Sequence, residues 1–163
     1  MGRLLKITVA CVGKLKESYW RDAVAEYQKR LSAYCSLDIA EVEEAPVPQK
    51  ASPAQIEAAL ETEGKRLLAK VPAGAALCSL CIEGKEMGSE PFSRWIGDIQ
   101  VRGISHIVLV IGGSWGLSPQ VKKASMLRLS MSPMTFPHQL ARVMLLEQTY
   151  RAFQILSGGK YHK

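Results

Sequence analysis

The sequence predicts an α/β fold with a mainly parallel sheet flanked by helices. Three observations carry that prediction. Short apolar runs rich in Val and Ile alternate with segments of helical apolar spacing along the whole chain. Serine followed by proline, at Ser52-Pro53 and Ser118-Pro119, supplies a cap and a first helical residue at two of these alternations. The 163 residues, 47% of them hydrophobic, are enough to bury a full core as one domain over 1–163.

The elements follow in order. "LLKITVACVG" reads as a strand closed by Gly13. Trp20, Ala23, Val24, Tyr27, Leu31 and Tyr34 then fall at helical spacing, which predicts a helix over 19–34. "LDIAEVEEA" opens with alternation at Leu37 and Ile39, although Val42 is off the beat, and predicts a short strand near an edge. "PVPQKASP" is a linker with three prolines. The next helix starts at Ser52-Pro53 and runs to about Lys70, with Ile56, Leu60, Leu67 and Leu68 inward. "AALCSLCIEG" is the third strand. Ser89 and Glu90-Pro91 open a helix through Phe92, Trp95, Ile96 and Ile99 that ends at Gly103. "HIVLVIGG" is the most continuous apolar run, so it is expected at the sheet centre, covered on both faces. Ser118-Pro119 opens a short helix, and "MLRLSMS" alternates as a fifth strand. Pro137 opens the last helix, with Leu140, Val143, Met144, Tyr150, Phe153 and Leu156 inward, and Gly158-Gly159 stops it.

Charge is lopsided along this chain. The net charge is +6, yet residues 35–100 carry −5 while 101–163 carry +7, with eight Lys/Arg and one Glu. Basic ends that meet in space would suit a polyanion. The four cysteines include a C-x-x-C at Cys78 and Cys81, but inside a strand, where that spacing points the side chains to opposite faces. With His106, His138 and His162 scattered, no metal site is expected. No apolar run approaches the roughly 20 residues of a membrane span, and the chain reads as cytoplasmic.

Ligands of open α/β sheets bind beyond the carboxyl ends of strands. Three such ends stand out. "SLCIEGK" closes the third strand, "IGGSWG" the fourth and "SMSPMTFPHQ" the fifth. The glycine corner is no phosphate loop, because Leu117-Ser118 stands where Gly-Lys-Ser/Thr is needed. Nor is its G-G-x-x-G order a dinucleotide fingerprint. The Met- and Pro-rich loop after the fifth strand reads either as a buried loop or as an apolar floor for a flat ligand such as adenine. His138 lies in the first turn of the last helix, and Arg142, one turn on, is expected to share its rim. Glu147 reads as an i,i+4 partner of Arg151. Tyr161 and His162 matter only if the tail is docked.

The segments "VGKLKESYWRDAVAEYQKRL", "LCIEGK", "VLVIGGSWGL", "LSMSPMTFPHQLARVMLLEQTYRAF" and the terminal "YHK" resemble the RlmH family, bacterial large-subunit rRNA pseudouridine methyltransferases of the SPOUT class. The resemblance runs essentially end to end. It implies a SPOUT fold whose C-terminal part is tied in a trefoil knot. It implies a homodimer with sites at or near the interface, and S-adenosylmethionine (S-adenosyl-L-methionine) as cofactor. The implied substrate is a pseudouridine of the helix 69 stem-loop, methylated on N3 in the assembled ribosome. Carried over by position, Leu80, Gly112, Met131, Ser132, Pro133, Met134, Thr135 and Phe136 would contact the cofactor. His138, Arg142, Tyr161 and His162 are the candidates for the chemistry. The resemblance assigns Trp115 no role. A competing reading keeps the basic surface without the chemistry, as a non-catalytic rRNA-binding assembly factor.

Overall fold

The structure is a computed structural model, and it describes residues 4–163. Strands and helices alternate strictly: β1 (Lys6–Val12), α1 (Ser18–Leu31), β2 (Ser36–Val42), α2 (Pro53–Leu68), β3 (Ala76–Glu86), α3 (Ser89–Val101), β4 (His106–Ile111), α4 (Pro119–Ala124), β5 (Leu127–Ser130) and α5 (His138–Leu156). The strands form one sheet in the order β2-β1-β4-β3-β5. Every neighbouring pair is parallel. As expected, the apolar run of β4 is central and β2 lies at an edge.

Alternation along the strands sends side chains into two cores. Ile7, Val9, Cys11, Ile107 and Leu109 pack with α1, α3 and α5 on one face. Ala10, Val12, Val42, Val108 and Val110 pack with α2 and α4 on the other. This explains why Val42 breaks the pattern of Leu37 and Ile39: it faces the opposite core.

The first helix ends earlier than the apolar spacing suggested. Tyr34 lies past its end, where its hydroxyl accepts from Gln154 Nε2 at 2.6 Å. At the start of α2, Ser52 Oγ accepts from the Gln55 N–H and the Gln55 side chain accepts from the Ser52 N–H, a complete capping box. The expected Leu67 is buried in α2 and Leu68 packs half-buried against the same core, but the fully buried face is wider than the expected stripe. It runs through Ala59, Glu63, Gly64 and Leu67. The reason is what packs there. Glu63 Oε2 accepts from the buried Ala45 N–H at 2.9 Å, and a side chain on Gly64 would strike Ser118 Oγ.

The sheet is irregular where β3 meets β5. Leu129 pairs with Leu80 and again with Lys85, so residues 81–84 are displaced out of the ladder between them. The four cysteines are free, three of them buried. Among the described residues no helix is long and apolar enough to cross a membrane.

Candidate functional site: a cleft at three strand ends

The ends of β3, β4 and β5 converge on one cleft of about 900 Å³. The displaced stretch after Leu80, the glycine corner 112–117 and the loop 131–137 make its walls, and the start of α5 closes it. Of the positions proposed for a cofactor, Leu80, Gly112, Met131, Ser132, Met134, Thr135 and Phe136 line the cleft, while Pro133 does not. Ser132 organises that loop, its Oγ accepting from the Met134 N–H at 3.0 Å.

The glycine corner is a tight turn. The Gly116 N–H donates to the Gly113 carbonyl at 3.1 Å, and Gly116 has φ +86°, a conformation that favours glycine. A Cβ on Gly112 would collide with the Gly116 carbonyl. Gly112 is therefore demanded first by closure of the turn itself, before any ligand arrives. Leu117 is buried behind the turn, and Ser118 Oγ accepts from the Val121 N–H to cap α4.

His138 lies on the cleft wall as the first residue of α5. Its Nδ1 is buried with no hydrogen-bond partner. Burial and then the nearby Arg142 charge hold its pKa below the ordinary imidazole value, against a weaker upward pull from Glu44. The ring is therefore neutral at pH 7 and able to accept a proton.

Arg142 does not share that rim. It is 4% exposed. Its Nη1 donates to Glu41 Oε2 at 2.7 Å, and Nη2 donates to the Gly13 carbonyl at 3.2 Å. The guanidinium thus ties α5 to the ends of β1 and β2, and its Nε is left without a partner. The physical reason is depth. Residue 142 falls on the buried face of α5 beside Ala141 and Leu145, and the charge is tolerated there because Glu41 reaches it from β2.

Tyr161 and His162 lie elsewhere again. The tail is docked, but from the middle of α5 onward, at residues 147–151. Tyr161 packs edge-on to Tyr150 at 4.9 Å, and its hydroxyl donates to Glu147 Oε1 at 3.1 Å. Burial, then Glu147, pushes its pKa up to about 12. His162 Nδ1 meets Arg151 Nη1 at 3.1 Å, and Nε2 lies 3.6 Å from Glu90. Arg151 and Glu147 form the expected i,i+4 pair at 2.5 Å.

Three residues of the cleft had drawn no role from the sequence. Trp115 sits at its rim, 54% exposed. Lys122 lines it and pairs with Glu83. Cys81 is half-buried in its wall. Only the displacement of 81–84 brings the last two together, and no local pattern announces that displacement.

The chain is similar to known proteins over nearly all of its length. Residues 5–162 match the family described as "Predicted SPOUT methyltransferase". Two proteins from two strains of Clostridium kluyveri, each named "Ribosomal RNA large subunit methyltransferase H", are 46% identical to it over 159 residues, 98% of this chain and 100% of theirs. A solved structure of a probable methylase family protein from Haemophilus influenzae Rd KW20 shares the fold at 11% identity, with a TM-score of 0.53, covering 96% of this chain and 70% of that one. With a parallel sheet whose strand ends wall a cleft and a family match over 5–162, the chain belongs to the SPOUT methyltransferase family.

Proposed function

We propose that the protein is an rRNA methyltransferase that uses S-adenosylmethionine and methylates N3 of a pseudouridine in the helix 69 stem-loop of the large ribosomal subunit. Membership of the family implies a methyl donor. The single observation that carries the finer reading is the convergence of β3, β4 and β5 on one cleft, in a chain that aligns end to end with relatives named for methylating large-subunit rRNA.

The residues present fit such a cofactor. A volume of about 900 Å³ is ample for a nucleoside with an amino-acid arm. Leu80, Met131 and Phe136 are half-buried apolar groups suited to adenine. The cofactor supplies an activated sulfonium methyl. His138 offers a neutral imidazole at the cleft wall, suited to accept the proton from N3. Arg142 enters as a positioning residue, holding the first turns of α5 to β1 and β2. We place Pro133 in the loop's shape rather than in its lining.

Tyr161 and His162 serve in this reading from a second copy of the chain, in a homodimer acting on cytoplasmic ribosomes. The trefoil knot belongs to the same reading. It is supported by the family match over residues 5–162.

Mass mapping of rRNA from a strain lacking the gene, with and without its restoration, tests the reaction. The expected result is loss and return of one methyl on one pseudouridine. A non-catalytic assembly factor would leave the modification unchanged and would bind no S-adenosylmethionine in calorimetry at millimolar cofactor.

A further inference from the structure

We propose that Trp115 is the stacking platform for an unstacked base of the RNA substrate, an inference that rests on the rRNA reading above. The chain has three tryptophans. Trp20 lies against Tyr19 with ring centroids 5.1 Å apart, and Trp95 stacks on Phe92 at 6.3 Å. Trp115 alone stands at the mouth of the cleft, 54% exposed. A half-exposed indole costs solvation free energy that a flat ligand removes on binding.

The backbone that carries it is fixed in advance. Trp115 is the third residue of the turn closed by the Gly116 N–H to Gly113 carbonyl bond at 3.1 Å. Leu117, 4% exposed, anchors the turn directly behind it. A ring presented this way loses little freedom when something stacks on it.

Depth separates the two ligands of the cleft. Its floor is formed by half-buried Leu80, Met131 and Phe136, which suits a small molecule enclosed first. Its rim is formed by Trp115 together with Ile82 at 49% and Met134 at 71% exposure, from the displaced stretch of β3 and the connections after β4 and β5. A rim accepts what arrives last and remains partly outside. The rRNA reading above makes RNA that arrival, and the rim meets it with apolar surface, because Lys122, the one cation of the lining among the described residues, is already paired with Glu83. A base removed from its stem-loop stack offers the π face that an indole binds without sequence preference.

Alanine substitution of such platforms weakens binding by roughly five- to 150-fold per base. The test compares Trp115→Ala, Trp115→Leu and Trp115→Phe in the full chain. On intact ribosomal subunits, Ala and Leu are expected to raise KM about tenfold or more, with kcat nearly unchanged, while Phe stays close to wild type. Calorimetry should give the same S-adenosylmethionine affinity for all four proteins, and sedimentation the same oligomeric state. Parallel loss of cofactor affinity would assign the indole to adenine and overturn the proposal. A changed oligomeric state would assign the rim to a second copy, and an unchanged KM would leave the indole without this role; either overturns it too. If the wild-type chain methylates no ribosomal RNA, the rRNA reading fails and a second measurement decides the platform. In a Trp20→Phe, Trp95→Phe background, a single-stranded RNA oligonucleotide should quench Trp115 fluorescence and cofactor alone should not; the absence of quenching by RNA refutes the platform.

Discussion

The buried pair between Arg142 and Glu41 predicts an asymmetry in stability. Arg142 is almost wholly enclosed, its side chain 5% exposed, whereas the Glu41 side chain is 35% exposed. Glu41→Ala leaves a buried guanidinium with one remaining acceptor, the Gly13 carbonyl. An uncompensated buried charge costs about 3–5 kcal/mol. Because Glu41 stands at an opening to solvent, water can reach the exposed side, and about 3 kcal/mol is the appropriate end of that range. Arg142→Met keeps the apolar stem, removes the charge and lets Glu41 rehydrate. Its main loss is the donor to the Gly13 carbonyl, about 1 kcal/mol. For a domain of this size those figures correspond to Tm decreases of roughly 6–12 °C and 2–4 °C. The double variant should resemble Arg142→Met alone, because the second substitution removes the charge that the first strands. Urea unfolding of the three variants, with equal m-values, measures this. An Arg142→Met chain as unstable as Glu41→Ala would refute the argument, since the buried charge would then be a net source of stability.

Gly112→Ala should force open the corner, losing the Gly113–Gly116 hydrogen bond and about 2–3 kcal/mol, and S-adenosylmethionine affinity should fall with it; calorimetry beside thermal melts checks both. His138 has a lowered pKa, so the unfolded chain takes up this proton first as pH drops past about 6.5. Its contribution to stability is present above that pH and lost below it, the acid limb of kcat/KM should lie below pH 6.5, and His138→Ala should lower kcat about 100-fold or more. Burial raises the thiols of Cys11 and Cys35 to about 11 and pushes Cys78 higher still. Alkylation of the native chain should therefore mark Cys81 alone, slowly because burial and then Glu83 also raise its pKa. Saturating S-adenosylmethionine should protect Cys81, and mass spectrometry of the labelled peptide reads that out. If the tail serves a neighbouring copy, mixing His138→Ala and His162→Ala chains, each impaired alone, should restore methylation, because one site of each mixed dimer then holds both native residues.

What the sequence made legible was local. Ser52 with Gln55 three residues on announces a capping box, and the box is there. The unbroken apolar run of β4 announces a strand covered on both faces. Three suspicious strand ends announced a common place, because parallel strands end on one side of a sheet. What stayed hidden depends on partners far away in the chain. Arg142 looked like a rim residue because its partner Glu41 lies 101 positions earlier. Glu63 is absent from the expected stripe of α2 because hydrophobicity selects leucines, whereas the loop at Ala45 and the cap at Ser118 also shape the buried face of that helix. The strand order β2-β1-β4-β3-β5 and the displacement after Leu80 have no local signal at all.

The same distinction bears on the tail. α5 runs from His138 to Leu156, which at 1.5 Å per residue spans about 27 Å. Tyr161 lies five residues beyond its end, and five extended residues reach at most about 18 Å. The Tyr161 hydroxyl reaches back to Glu147, nine residues and so about 14 Å along α5 from His138. Buried Leu145, Leu146, Ala152 and Phe153 fix the helix in the core. A tail held by Tyr150, Arg151 and Glu147 is instead presented outward at a constant place on a rigid rod. If Tyr161 and His162 act in methylation while held by these contacts, away from the His138 turn, they act on a neighbouring copy, and the dimer then becomes a condition of the chemistry.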